Sequence, residues 1–323
     1  MKLVLAVLLA AGALACAETK EQINKSFAAQ AGGKLLMDIE FGSIEVTTNA
    51  GNEVTIDILR KVSRRTKAEE QEFLADHPVT ISQEDGTVKI TSRAKRKNLG
   101  WFHGFQRNEG RYTISVPPEF DAQLKTAGGG VTISDLTGKF RVETSGGGLH
   151  FSRLNGPLDG NTSGGGIRVI DCDGGLKVHT SGGGIDLRGG SGTLEGGTSG
   201  GSVTVSDFRG PTHVETSGGG IHIENVVGRV DGSTSGGSIT ARLSSSSAEE
   251  VRLETSGGGV TLNVPSSWAF DLDAETSGGS VSSELPVAVV GKAAHSSLHG
   301  PVNGGGKAVF LRTSGGSIHV KRL

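Results

Sequence analysis

The stretch T-S-G-G-G-L-H-F-S-R-L-N-G-P-L-D-G-N, Thr144 to Asn161, decides the fold, because Thr162 opens the same unit again. Thr126, Thr144, Thr162, Thr180, Thr198, Thr216 and Thr234 stand 18 residues apart. Each is followed by Ser-Gly-Gly except the first, where Ala127 replaces the serine. Further copies begin at Thr255 and Thr276, at spacings of 21, and at Thr313, after 37. A fixed period near 20 residues is the mark of a stacked repeat architecture.

Counting onward from each threonine shows what the period builds. Five places on stand Val131, Leu149, Ile167, Ile185, Val203, Ile221 and Ile239; seven on stand Ile133, Phe151, Val169, Leu187, Val205, Ile223 and Ala241. Twelve on is glycine throughout, from Gly138 to Gly228, and fourteen on is mostly apolar, as at Phe140, Leu158, Leu176, Leu194 and Val230. The unit is two nine-residue halves of the form G-x-φ-x-φ, with φ apolar. Alternation over so few residues describes a short strand with one buried face. Glycines between strands suit corners with positive φ, so one coil reads as two short strands and two turns. A lone coil buries too little to offset the entropy of ordering it; stability belongs to the array.

A 36-residue alternation overlies the 18. Two places before each threonine the chain reads Val142, Gly160, Val178, Gly196, Val214, Gly232, and three places before it reads Arg141, Asp159, Lys177, Glu195, His213, Asp231. An 18-residue coil sets opposite charges side by side, about 4.8 Å apart. A 36-residue coil would set like charges together, which cross-strand pairing disfavours. The sequence therefore favours 18.

Composition agrees with a thin core. The 53 glycines among 323 residues are more than twice the usual share of about 7%, and one Tyr, two Trp and eleven Phe leave little for a thick one. A net charge of −2 makes no case for nucleic acid. At the N-terminus, Met1-Lys2 precedes an uncharged apolar run from Leu3 to Leu14, too short to span a bilayer and shaped as an export signal. Two cleavage readings stay open. Ala15-Cys16-Ala17 is an A-x-A site, giving a signal peptide of residues 1–17; Ala13-Leu14-Ala15-Cys16 reads as a lipobox, giving a signal to residue 15 and a lipidated Cys16. The expected location is the cell envelope, the outer surface or the medium, with any membrane anchoring through lipid only. Cys172 has no partner if Cys16 is removed and reads as a small buried residue.

Residues 18–118 read as an N-terminal β cap and 119–323 as the repeat solenoid with a C-terminal cap. Phe41 to Val46 is a degenerate corner and strand, residues 65–76 are the one convincing helix, stopped before Pro78, and strands follow at 79–82, 88–91 and 112–116. The final T-S-G-G-S strand, ending at Leu323, reads as the closing cap of the stack.

The T-S-G-G-[GS]-[IV]-x-[VIL] units, the Tyr112 to Pro118 lead-in and the closing T-S-G-G-S-I together resemble the exported bacterial β-strand-repeat proteins catalogued as "putative adhesins", over roughly residues 30–323. The resemblance implies an all-β, parallel β-solenoid of about ten coils at the cell surface, with no established reaction. It brings no functional residues with it.

The residues themselves offer no catalytic or metal set and call for no cofactor. The glycine corners lack phosphate-loop spacing and the Asp of calcium-binding nonapeptides. The outward column Thr132, His150, Arg168, Asp186, Thr204 shows no acid pair of the kind glycan cleavage needs. The expectation is a non-enzymatic surface solenoid whose partner is a surface glycan, an envelope component or a protein, with a polysaccharide-acting enzyme as the minor alternative. One stretch stands apart. Arg93, Lys95, Arg96 and Lys97 lead into Trp101, Phe102 and Phe105, a basic-aromatic hairpin suited to an anionic glycan or lipid. A second basic cluster is Arg60, Lys61, Arg64, Arg65 and Lys67.

Overall fold

The structure is a computed structural model that describes residues 18–95, 108–244, 249–289 and 294–323. Cys16, Arg96, Lys97, Trp101, Phe102 and Phe105 lie outside the described residues. The chain is a β-solenoid. Phe140–Thr144 runs parallel to Leu158–Thr162, and Leu149–Asn155 parallel to Ile167–Ile170, each residue facing the one 18 later. One physical coil therefore takes 18 residues, and Arg141 faces Asp159 as Lys177 faces Glu195.

Six positions of each coil point inward. Besides the apolar columns read from the sequence, the threonine itself is buried, and so is the tenth position after it: Leu136, Leu154, Cys172, Phe208 and Val226 are all at most 2% exposed. The tenth position breaks the simple alternation because the residue before it takes a left-handed backbone. Asp135, Arg153, Asp171, Asp207 and Asn225 have φ between 50° and 62°, a region Asp and Asn tolerate better than most residues. This adds a third bend to the two expected per coil.

The corner glycines act differently from the expectation. The twelfth-position glycines do have positive φ, as at Gly156 (130°), but within the T-S-G-G corners only Gly129 does. Elsewhere the second corner glycine is required by closeness. A Cβ on Gly165 would stand 2.3 Å from the carbonyl oxygen of Gly147 in the preceding coil. Beside this contact the threonine hydroxyls form a ladder. Thr162 Oγ1 donates to Gly147 O at 2.7 Å, and Thr180 Oγ1 donates to Gly165 O at 2.7 Å while accepting from Gly183 N–H at 3.3 Å.

The 36-residue alternation is set by volume. Gly160 lies where a Cβ would come within 2.9 Å of Phe151 Cε2, and at Gly232 it would meet Leu253 Cδ2 at 3.3 Å. Glycine in every second coil makes room for larger side chains, across the core at Phe151 and in the next coil of the same column at Leu253, as close packing requires.

Both ends depart from sequence order. Lys307–Thr313 pairs with Val251–Thr255 on one side and Phe270–Thr276 on the other, and Ile318–Arg322 lies between Val260–Val264 and Val281–Ser283. The last T-S-G-G-S coil is thus not the closing cap, as read above, but is threaded one layer inside it. The outer layer is Phe270–Thr276, covered by the antiparallel strand Ser297–Val302. At the other end Gly33–Phe41 and Ser43–Thr48 form a coil stacked directly on Phe120–Gly128 and Val131–Thr137, with Thr87–Ser92 and Asn108–Val116 outside it. Antiparallel strands close this end too: Thr80–Glu84 on Thr87–Ser92, and Glu53–Ser63 on Asn108–Val116 with Glu18–Ala28 beyond. Antiparallel closing strands interrupt the parallel edge that another chain could extend. The edge strand Glu18–Ala28 has charges and few apolar residues, and its pattern gave no strand signal.

The helix spans Lys67–Asp76, two residues shorter at its start than the sequence suggested. Thr66 caps it, accepting from the Glu69 N–H. The helix covers Arg60, which corrects its place in an exposed basic cluster: it is fully buried, paired with Glu21 and donating to the carbonyl of His77 at 2.6 Å. A buried guanidinium must be paired, and Glu21 and the helix end supply that.

Candidate functional site

The outward columns consist largely of matched charges. Arg141 Nε meets Asp159 at 3.2 Å, Lys177 meets Glu195 at 3.3 Å, and Lys125 meets Glu143 at 2.8 Å. Exposed pairs of this kind contribute about 0–1 kcal/mol each. They leave the faces nearly neutral rather than building one strong field. What distinguishes one part of the surface from another is therefore shape.

A groove of about 690 Å³ follows the T-S-G-G corner across six coils, with Ser199, Ser217, Ser235, Ser256, Ser314 and Ser277 along one wall. The corner sequence builds this wall. The threonine turns inward to the hydroxyl ladder, so the serine after it must turn outward, and the glycines behind leave the wall low. The other wall is the position before each threonine, with His179, Glu215, Ser233, Glu254, Arg312 and Glu275. Gly197 between His179 and Glu215 has no side chain to fill the groove. Arg252 holds Glu254 at 2.7 Å, and Arg312 reaches Asp273 at 2.7 Å and Glu275 at 3.7 Å. Glu215 forms no ion pair among the described residues. Hydroxyls that donate and accept, beside carboxylates that accept, suit a polyhydroxylated chain lying along the axis.

Around the corner, on the next sheet, a shallower groove of about 450 Å³ is floored by Gly166 and Gly184 and edged by His150, Arg168, Asp186 and Thr204. These four are successive neighbours across the parallel strands. The sequence presented them as a column of mixed sign; the glycine floor that makes them the edge of a groove becomes visible only once the coils are stacked.

At the N-terminal cap, Arg93 Nε donates to Asp38 at 2.8 Å, and this charge pair holds the Arg93 guanidinium above its usual range, the hydrogen bond being the main cause. The Ala94 N–H donates to Glu40, and the Lys95 N–H to the carbonyl of Asp76 at 2.8 Å. The chain is thus fastened to the cap as it leads towards residue 96, with the Lys95 side chain exposed. Of the other cluster, Lys61 pairs with Glu109 at 3.3 Å, and Arg64 lies over the Phe73 ring, 4.2 Å from its centroid. Arg65 and Lys67 are exposed.

His299 sits on the closing strand, with Nδ1 2.6 Å from Asp273 Oδ1. Cys172 is fully buried between Leu154 and Phe208 in the tenth-position column, and burial raises its thiol to about 11. A thiol so placed is a packing residue rather than a nucleophile.

No curated protein matches the chain. Among solved structures, the chain is similar to a "putative cell adhesion protein" from Clostridium sporogenes, at 12% identity and a TM-score of 0.24, covering 94% of this chain and all of that one. It is also similar to a "putative adhesin" from Bacteroides fragilis, at 14% identity and a TM-score of 0.33, covering 94% and 98%. A "putative lipid binding protein" from Parabacteroides distasonis matches at 14% identity and a TM-score of 0.39, covering 93% and 97%. The family model described as Toastrack DUF4097 matches residues 35–321, from the first stacked coil of the N-terminal end to the threaded strand at the C-terminus. The chain belongs to the Toastrack DUF4097 family.

Proposed function

We propose that the protein is an exported, non-enzymatic surface solenoid that holds an extended, polyhydroxylated partner, a glycan of the envelope or of another surface, along its corner groove. The observation that carries this reading is the groove itself, continuous over six coils, or about 24 Å at ~4.8 Å per coil. Its shape fits a chain and offers no deep pocket to a compact molecule. Hydroxyl groups recur along it at the coil spacing, so many weak contacts add along one linear ligand. Two of the three carboxylates on the groove wall, Glu254 and Glu275, are tied to arginines, which suits holding better than proton transfer.

The test uses the mature chain in affinity electrophoresis through gels containing linear neutral glycans or purified envelope polysaccharide. Retardation that Ser235→Tyr abolishes, with the thermal transition unchanged, is the expected result. Failure of every glycan to retard the protein, or indifference to Ser235→Tyr, would overturn the reading. Release of new reducing ends from any of these polymers would overturn its non-enzymatic part.

A further inference from the structure

The geometry points to a second subsite, for an acidic sugar unit of a linear anionic glycan, in the glycine-floored groove edged by His150, Arg168, Asp186 and Thr204. It deepens the glycan-holding reading, on which it rests, by naming a charge that the ligand must carry.

The first observation is a shared carboxylate. Along the repeats arginines and carboxylates mostly pair one to one, as Arg141 with Asp159 and Arg153 with Asp135. At this groove one carboxylate serves two arginines. Asp186 Oδ2 meets Arg168 Nε at 3.3 Å, and Asp186 Oδ1 meets Arg188 Nε at 3.1 Å. Asp186 is thus divided between two guanidinium groups, and among the described residues no other carboxylate is shared by two arginines.

The second observation is how Arg168 is held. Its Nε lies 3.3 Å from Asp186 Oδ2 in a charge contact, and among the described residues its guanidinium donates no hydrogen bond. Its side chain is 57% exposed over the groove. A guanidinium with a free fork is the group that binds a carboxylate or sulfate through two parallel hydrogen bonds.

The third is the shape around it. Gly166 and Gly184 carry no side chains, and the backbone between them forms a flat floor on which a sugar ring can approach Arg168 from the side. His150 stands one coil before Arg168 and Thr204 two coils after it. Each offers a hydrogen-bonding group to the rings flanking the charged one. Leu149, Ile167 and Ile185 lie beneath the groove but are almost fully buried, so they offer little apolar surface to a peptide side chain, which sets an acidic glycan above an acidic peptide. Carboxylated and sulfated sugars share the recognising chemistry, and the experiment separates them.

Affinity electrophoresis of the mature chain in low salt is run through gels of polygalacturonate, dextran sulfate, poly-glutamate and neutral dextran. The expected result is retardation by polygalacturonate, by dextran sulfate or by both, exceeding that by poly-glutamate. Arg168→Gln should weaken it by about tenfold, the worth of one charge-assisted contact. Asp186→Asn should strengthen it, by removing the competing anion. Arg229, paired with Glu250 on another face, serves as the control, and Arg229→Gln should change nothing. Absence of retardation by both acidic glycans, stronger retardation by poly-glutamate, or Arg168→Gln and Asp186→Asn both behaving as wild type would overturn the subsite. If neutral glycans still retard the chain in a Ser235-dependent way, the corner-groove reading stands while this one falls.

Discussion

Thr180 Oγ1 donates to the carbonyl of Gly165, 15 residues earlier, at 2.7 Å. The bond joins one coil's corner to the next, and the same oxygen accepts from the Gly183 amide within its own corner. Thr180 is fully buried and its two partners, Gly165 and Gly183, are half-buried, so water replaces these contacts only in part. Thr180→Val keeps the volume but strands a carbonyl and an amide, and is expected to cost about 1–3 kcal/mol. Thr180→Ser should retain most of the stability. Urea midpoints of the two variants check this, read as midpoints because long repeat arrays need not unfold in two states.

Neighbouring glycines in one corner should respond in opposite ways. A Cβ on Gly183 would lie 2.2 Å from the Gly165 carbonyl oxygen, whereas on Gly182 its nearest neighbours stand at 3.4 Å. Gly183→Ala must push two backbones apart and should cost about 3 kcal/mol or more. Gly182→Ala should stay within about 1 kcal/mol of wild type. Equal midpoints for the two variants would refute the close-approach account of the corner.

The alternation of valine and glycine should show as coupling across the core. Gly160→Ala presses on Phe151 and is expected to destabilise by about 1–3 kcal/mol. Phe151→Leu opens the space, so the double variant should be more stable than the two single losses predict. A double-mutant cycle measures the difference; strict additivity would mean that the period of 36 has another cause.

The C-terminal closing strand should loosen in acid. Burial alone would raise the Asp273 carboxyl, but the hydrogen bond and charge of Arg312, followed by those of His299, outweigh it and hold the group below its usual range. A carboxylate depressed in this way stabilises the folded state above the usual carboxylate range near pH 4. That contribution is lost as the pH falls through the lower, folded value. Hydrogen exchange of the 297–302 strand is expected to quicken below about pH 4 ahead of the central coils. In Asp273→Asn the strand should exchange faster at neutral pH and lose this acid step.

Cys172 should be silent towards thiol reagents in the native protein. With its thiol raised to about 11 and no exposed surface, it should react with Ellman's reagent only after denaturation. Rapid native labelling would mean that the tenth-position column opens.

Much of this architecture is written in the chain one residue type at a time. The interval from Thr126 to Thr144 to Thr162 sets the coil, and the opposed signs of Arg141 and Asp159 favour 18 residues over 36. Both follow from local rules: side chains alternate across a strand, and like charges avoid adjacent rungs. The tenth-position column escaped because Leu154 is brought inward by the left-handed backbone at Arg153, and arginine gives no warning of that conformation. The recurring Asp135, Asp171, Asp207 and Asn225 in the same place were the available clue.

Sequence by itself determined the repeat, its strands, its thin apolar core and its pairing of charges, since each depends on neighbours fixed by the period. Tertiary structure alone decided where the two ends go. Nothing local distinguishes Thr313 from Thr276, yet the Thr313 coil is threaded inside and the Thr276 coil lies outside, because every corner is built to stack on any other. It likewise decided which surfaces matter. Gly166 and Arg168 are unremarkable as letters, and they become the floor and edge of a groove only when parallel coils bring Gly166 and Gly184 side by side.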